Sequence, residues 1–163
     1  MPIKFKFLEH TADVKFQAFG KSPEEVFANS AYALKEIICQ EKIKNKIKKN
    51  ISVEGKDNEN LLYNFLEEFL VLFDSEGFVL SEIEKLEISK EISDKKRLIN
   101  KGKIDLNNKG GGWPDKLLKL SAEATFDKAE NYEISEHIKA ITYNEMFIKK
   151  ENNKWIAQVV VDV

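Results

Sequence analysis

The chain has 163 residues, of which 42% are hydrophobic and 33% are charged, and its formal net charge is -2. This composition is typical of a folded globular protein and argues against an intrinsically disordered chain. The 26 basic residues are balanced by 28 acidic ones, so no overall positive charge favours binding to a nucleic-acid backbone. A chain of this length is expected to form one domain over residues 1–163.

Cysteine content and hydropathy indicate the cellular environment. Because Cys39 is the only cysteine, it cannot form an internal disulfide or belong to a multi-cysteine zinc site. We therefore expect a reducing, cytoplasmic environment. No apolar run approaches the roughly 20 residues that span a bilayer, so no membrane association is expected. Cys39 lies on the apolar side of a predicted helix, which favours a core position.

The first third of the chain predicts two strands and a helix. Residues 3–8 and 14–19 each alternate apolar and polar side chains, which is the pattern of half-buried strands. Ser22 can cap the helix that follows, Pro23 suits its first position, and Glu25 completes a capping box. Apolar side chains then recur at helical spacing to about residue 39.

A lysine-rich stretch precedes the second helix. Residues 42–49 carry a lysine at every second position, and these lysines share one face if the chain is extended: Lys42, Lys44, Lys46 and Lys48. An RNA-facing strip is one interpretation, but a solvated face that protects a sheet edge is favoured. A short strand over residues 51–54 and a helix over residues 61–73 follow, and Gly77 ends that helix.

The second half of the chain predicts mainly β-structure. Residues 78–92 alternate as a long strand, residues 93–97 form a charged turn, and residues 98–106 pair back as a hairpin. Residues 110–114 (Gly-Gly-Gly-Trp-Pro) could cradle a ligand, but no phosphate-binding signature is present. A flexible surface loop is therefore the favoured interpretation.

Three further segments complete the predicted fold. Residues 118–125 form a strand, residues 126–136 form a polar connection, and residues 138–148 and 155–163 form a hairpin around Asn152-Asn153. Two helices with many antiparallel strands predict an α+β fold, a two-layer sandwich in which a mostly antiparallel sheet packs with two α-helices. Strands and helices do not alternate around a glycine fingerprint, which argues against a dinucleotide-binding fold.

Two aspartates are the main candidate site residues. Asp13 and Asp162 each adjoin a strand with apolar neighbours, where a carboxylate needs a partner. Each could simply accept backbone N–H bonds at a strand end. However, the sequence stops at Val163, and a terminal carboxylate beside Asp162 would place two anions together. We therefore expect a cation, and oxygen ligands favour calcium or magnesium.

Three other side chains carry candidate chemistry. His10 and His137 are the only histidines, and a structural hydrogen-bonding role is favoured over that of a catalytic base. Lys139 lies between Ile138 and Ala140 in a predicted strand. Its ammonium either faces solvent from an exposed sheet face or meets the Asp13/Asp162 pair, and the spacing favours neither alternative.

Four segments together resemble the archease family. The segment Phe-Leu-Glu-His-Thr-Ala-Asp-Val (residues 7–14), followed by Ala-Phe-Gly (residues 18–20), is similar to the family's N-terminal signature. The acidic-capped helix from residue 59, the segment Ile-Lys-Ala-Ile-Thr-Tyr (residues 138–143) and the ending on Asp162-Val163 follow in the family's order. The residue after this tyrosine is often His in the family, whereas Asn144 stands here.

The resemblance implies a function and a site. Archeases are accessory proteins of tRNA splicing that activate an RtcB-type RNA ligase by promoting its guanylylation and repeated turnover, and they contact tRNA only through the ligase. By motif match, Asp13, Asp162 and Val163 would bind a divalent cation, with calcium favoured over magnesium. We therefore expect the strands of Asp13 and Asp162 to be neighbours in the sheet. Lys139 and His10 would contact the partner or a phosphate. The protein itself would not be an enzyme.

Two other functions stay open at this point. Asp13 and Asp162 could serve a metal-dependent phosphoester hydrolase, although the sequence offers no activated nucleophile and no base besides His10. The lysines of residues 42–49 could instead serve an RNA chaperone, which predicts tight RNA binding with a steep salt dependence.

Overall fold

The computed structural model describes residues 2–92 and 116–163. Within these ranges the chain forms two α-helices, seven strands and a short 3-10 helix. In order they are β1 (Phe5–Leu8), β2 (Val14–Gly20), α1 (Pro23–Ile38), β3 (Ile47–Gly55), α2 (Asn58–Glu76), β4 (Phe78–Ile92), β5 (Lys116–Lys128), the 3-10 helix (Ala129–Asn131), β6 (Ala140–Glu151) and β7 (Lys154–Asp162). Neither α-helix of the described chain combines the length and apolar character needed to cross a bilayer.

The described strands divide into two antiparallel sheets. One has the order β1-β2-β7-β6 and the other has the order β3-β5-β4. Both helices contact strands of both sheets, and the apolar faces of all these elements form one core. The predicted α+β class with antiparallel strands and two helices is therefore confirmed. The predicted turn at 93–97, its partner strand at 98–106 and the loop at 110–114 lie outside the described residues.

Each helix begins at a short junction that follows a strand. Ser22 caps α1, its Oγ accepting the Glu25 N–H at 3.1 Å, as the sequence predicted. Asp57 caps α2 in the same way, accepting the Asn60 N–H at 2.7 Å. The α2 helix is longer at both ends than the predicted 61–73, and it ends at Gly77, whose φ of 69° suits a residue without a Cβ.

The two junctions share the same hydrogen bonds. Side chains nearly two turns into each helix reach back to the backbone of the preceding strand. The Asn29 amide donates to the Phe19 carbonyl at 2.6 Å, and the Asn64 amide donates to the Glu54 carbonyl at 2.7 Å. A glycine follows each of these carbonyls and allows the strand and helix to approach closely. At Gly55 an added Cβ would lie 2.5 Å from the Leu61 nitrogen.

Two strands extend further than their sequence patterns predicted. β3 begins at Ile47, not at residue 51, and β5 continues through Lys128 into the segment predicted as a polar connection. Phe126 explains both differences, because it pairs with Ile47 on one side and with Leu80 on the other. It is only 1% exposed and belongs to the core. The apolar partners contributed by both neighbouring strands override the polar local sequence.

The predicted hairpin over residues 138–163 is confirmed, with two differences. Asn152 and Asn153 form its turn, both with positive φ, which matches the right-handed twist of a two-residue hairpin. Strand β6 begins at Ala140. Its register with β7 then jumps from Thr142 to Phe147, so β6 contains a bulge that the alternating pattern did not predict.

Candidate functional site

One end of the four-stranded sheet gathers the segments singled out by the sequence. The antiparallel pairings place the end of β1 beside the start of β2, because Leu8, the last residue of β1, pairs with Lys15, the second residue of β2. Val14 pairs with Val161 near the end of β7, and Ala140 at the start of β6 pairs with Asp162. The connection after β1, the end of β7 and the start of β6 therefore share one end of this sheet.

Asp13 and Asp162 flank the last paired residues between β2 and β7. Asp13 directly precedes Val14, and Asp162 directly follows its partner Val161. The prediction that the strands of the two aspartates are neighbours is confirmed. Both aspartates are partly exposed, so neither carboxylate is sealed in the core. Residues directly opposite each other in an antiparallel ladder have Cβ atoms about 5 Å apart. Asp13 and Asp162 each lie one residue beyond the last such pair, so their backbones are close together.

Lys139 lies at the same end, immediately before β6. Its backbone N–H donates to the carbonyl of Asp162 at 2.7 Å, which fixes the main chain of the two residues side by side. The sequence predicted Lys139 within a strand, but the strand begins one residue later and Lys139 is exposed. Its side chain is therefore exposed at the end of the sheet that carries the two aspartates.

His10 belongs to a small charged cluster that also contains Glu145. The His10 Nε2 atom lies 3.3 Å from Glu145 Oε2, and the Lys15 ammonium lies 3.6 Å from the same oxygen. On the other side of the ring, His10 Nδ1 lies 4.0 Å from Asp13 Oδ2, beyond hydrogen-bond distance. This Nδ1 atom is buried and has no hydrogen-bond partner among the described residues. His10 thus connects the aspartate end of β2 to strand β6.

Glu145 is a site residue that sequence reasoning missed. It lies in the β6 bulge with a φ of 55°, an unusual value for a residue with a side chain. The Gln158 amide donates to the Glu145 carbonyl at 2.8 Å, and the Gln17 amide donates to Gln158 at 2.9 Å. These bonds hold the bulge against β7 and β2. The turn-forming Asn144 before it was the only local signal, because a bulge depends on pairing with a distant strand.

Tyr143, in the same bulge, is fixed against α2. Its ring stacks on Tyr63 with centroids 4.4 Å apart and planes 7° apart, and its hydroxyl accepts a hydrogen bond from the Asn60 amide at 2.8 Å. The ring nevertheless remains 51% exposed. Burial and the nearby Glu67 carboxylate raise the pKa of Tyr63. The bulge therefore presents a rigid aromatic side chain to solvent.

The remaining candidates lie elsewhere. Cys39 is fully buried in the core, as its position on the apolar side of α1 predicted. His137 is exposed and packs edge-on against Phe73, with ring centroids 5.5 Å apart. Neither residue contacts the cluster around His10 in the part of the chain that the structure describes.

The donor set at this end suits a hard cation that keeps other ligands. Within the described ranges no group of three or more His, Cys, Asp or Glu side chains could hold a metal ion. Asp13 and Asp162 therefore supply at most two side-chain carboxylates here. Calcium takes six to eight oxygen ligands with flexible geometry, so backbone carbonyls and water would complete its coordination. A cation held by this pair alone would therefore keep most of its coordination positions for other ligands.

Comparison with known proteins relates the whole chain to one family. The profile of the Archease protein family matches residues 5–163. The protein archease of Pyrococcus abyssi is 37% identical over 98% of this chain and 99% of its own length, and that of Methanosarcina mazei is 34% identical over 98% and 96%.

Solved structures show the same relationship. The solution structure of Methanobacterium thermoautotrophicum protein 1598 superposes with a TM-score of 0.70 and 25% identity, covering 98% of this chain and 99% of that one. A Thermotoga maritima archease, described as a possible chaperone, has the same fold with a TM-score of 0.55 and 19% identity, covering 97% and 96%. The chain described here therefore belongs to the Archease protein family.

Proposed function

We propose that this protein is a non-catalytic accessory protein of tRNA splicing that activates an RtcB-type RNA ligase. In this role it promotes guanylylation of the ligase and allows it to turn over repeatedly. Family membership supports the proposal. The observation that carries it is the position of Asp13, Asp162 and Lys139, which the strand pairings bring to one end of the four-stranded sheet.

The residues at this end of the four-stranded sheet have different roles in the proposed activity. Asp13 and Asp162, together with Val163, would hold a divalent cation, with calcium favoured over magnesium because the site is open and has flexible ligands. When bound, the cation would supply positive charge that attracts phosphate oxygens. The Lys139 ammonium, exposed beside Asp162, acts as a point charge for a phosphate or an acidic group of the partner. His10, whose Nε2 lies 3.3 Å from Glu145 Oε2, would contact the partner or a phosphate at the same end of the sheet.

The experiment measures ligase guanylylation and RNA joining with substrate in large excess over the ligase. Wild-type protein is compared with Asp162→Asn, which keeps the side-chain size but removes its charge. Asp74→Asn, at an exposed position on α2, is the matched control. We expect wild type and the control to stimulate turnover and Asp162→Asn to lose at least about tenfold, the loss typical even of groups that only support metal ligands. No stimulation by the wild type would overturn the proposal.

Two other roles predict different results in the same set of assays. A metal-dependent hydrolase would cleave a phosphoester without any ligase present, and Asp13→Asn would abolish that cleavage. A general chaperone, the role suggested for the Thermotoga maritima relative, would suppress aggregation of unrelated proteins. The ligase activator is expected to do neither at concentrations that stimulate the ligase fully.

A further inference from the structure

Exposed lysines recur at every second position through the segment before β3 and into its start. Ile43 is only 6% exposed, and the Asn45 side chain accepts hydrogen bonds from Ser81 at 2.5 Å and Thr125 at 2.7 Å. The alternate residues are exposed: Lys42, Lys44, Lys46 and Lys48. In extended chain, residues two apart are separated by about 6.6 Å. Lys44 and Lys46 border one cleft, whereas Lys42 borders another together with Ile43 and Asn45, so the predicted common face is found for Lys44 and Lys46 only.

Protection of a sheet edge explains only part of this array. β3 is an edge strand, and its own lysines are held by acidic side chains. Lys48 lies 3.4 Å from Glu84, and Lys49 lies 3.5 Å from Glu76. The other three lysines of the array precede the strand, and of these Lys46 still donates its backbone N–H to the Phe126 carbonyl of β5 at 3.1 Å. Within residues 2–92 and 116–163, no ion pair is formed by the ammonium groups of Lys42, Lys44 and Lys46.

Two of these lysines line a cleft together with a third from the opposite side. Lys44, Lys46 and Lys128 border a cavity of about 570 Å3, and Ile47 and Tyr132 form part of its wall. All three lysines are exposed at the surface. The cleft therefore concentrates positive charge on a protein whose net charge is slightly negative.

The wall of this cleft is held rigidly. The Tyr132 hydroxyl accepts the Lys44 backbone N–H at 3.0 Å and donates to the Asp127 carboxylate at 2.6 Å. Asp127 also accepts the Lys128 backbone N–H at 2.8 Å and is itself buried. These hydrogen bonds keep the pKa of Asp127 below its usual value, and the bond from Tyr132 has the largest effect. Asp127 therefore offsets one of the three lysine charges, and the cleft keeps an excess of positive charge.

We propose that Lys44, Lys46 and Lys128 bind the phosphate backbone of single-stranded RNA. Lysine is a compact point charge that binds phosphate oxygens without a fixed geometry. Three exposed lysines face a single buried carboxylate in this open cleft, and this excess of positive charge is complementary to a phosphate backbone. This binding is independent of the aspartate end of the other sheet and of any effect on a ligase.

The test is fluorescence anisotropy of a labelled 12-nucleotide oligouridylate with the full chain at several salt concentrations. Each phosphate neutralised on a single strand contributes about -0.7 to the slope of log affinity against log salt. Three lysines therefore predict a slope of about -2, or roughly 20-fold weaker binding at 200 mM than at 50 mM salt. The triple variant Lys44→Gln, Lys46→Gln, Lys128→Gln should lose nearly all of this slope.

A second triple variant controls for overall charge. Lys49→Gln, Lys85→Gln and Lys149→Gln remove the same charge from lysines already held by Glu76, Glu87 and Glu151. This control should keep the wild-type slope, and circular dichroism should show both variants folded. The proposal is overturned by absent wild-type binding or by equal losses in the two triple variants. Displacement of the RNA by equimolar polyglutamate of equal charge would instead identify an acidic protein as the partner.

Discussion

Replacing Gly55 with alanine tests how closely β3 must approach α2. The added Cβ would lie 2.5 Å from the Leu61 nitrogen and 2.6 Å from its Cα, whereas ordinary contact begins at 3.4 Å. The strand and helix must therefore separate by about 0.9 Å, and backbone atoms cannot rotate away. Overpacking of this kind costs up to about 3 kcal/mol. The lower entropy of the unfolded alanine chain offsets about 0.4–1 kcal/mol.

We expect Gly55→Ala to lower the free energy of unfolding by about 2 kcal/mol, measured by urea denaturation. For a chain of this size, that corresponds to a fall in Tm of about 4–8 °C. Gly77→Ala is the control because open space surrounds its Cβ, and only its φ of 69° is unfavourable, at a cost of about 1 kcal/mol. If Gly55→Ala is no more destabilising than Gly77→Ala, the close-packed junction does not limit stability and our reasoning is wrong.

Three further predictions concern single contacts. A double-mutant cycle with Tyr63→Leu and Tyr143→Leu should give a coupling of about 0.5–1.5 kcal/mol in urea unfolding, and zero coupling would mean that the stack has no energetic role. Tyr132→Phe should move the acid unfolding midpoint to higher pH. Because the pKa of Asp127 is lowered in the fold, its carboxylate stabilises the protein at pH values above the pKa of the unfolded state. This stabilisation is lost as the pH falls through the folded-state pKa, and an unchanged midpoint by circular dichroism would contradict the prediction. Ser22→Ala and Asp57→Ala should each cost about 1 kcal/mol, and losses well below about 0.5 kcal/mol would show that these caps are dispensable.

The helices and the last hairpin could be predicted because their signals are local. Ser22 and Pro23 mark a helix start within a few residues, and Gly77 marks a helix end where only a left-handed conformation continues the chain. Asn152 and Asn153 similarly specify a two-residue turn. In each case the physical cause lies within one turn of the residue concerned.

The missed features depend on partners far away in the sequence. Phe126 follows an apolar strand and precedes polar residues, and only its pairing with Ile47 and Leu80 shows that the strand continues. The β6 bulge likewise depends on the register with β7, which places Glu145 beside His10. No local pattern encodes either pairing. We expected the strands of Asp13 and Asp162 to be neighbours because both aspartates match motifs of the same family. Their spacing in the sequence did not imply it.

The pairing of β2 with β7 supports both the stability of the fold and the geometry of the candidate site. Val159 and Val161 are completely buried on one face of this ladder, and Val161 pairs with the residue beside Asp13. A truncation such as Val161→Ala would create a cavity and let the ladder relax, so it would shift Asp13 relative to Asp162 as well as reduce stability. Loss of activity in that variant could not be assigned to either cause. Isosteric changes of partly exposed side chains, such as Asp162→Asn, alter the charge and leave the ladder intact. They are therefore the substitutions that can separate the role of this site from its place in the fold.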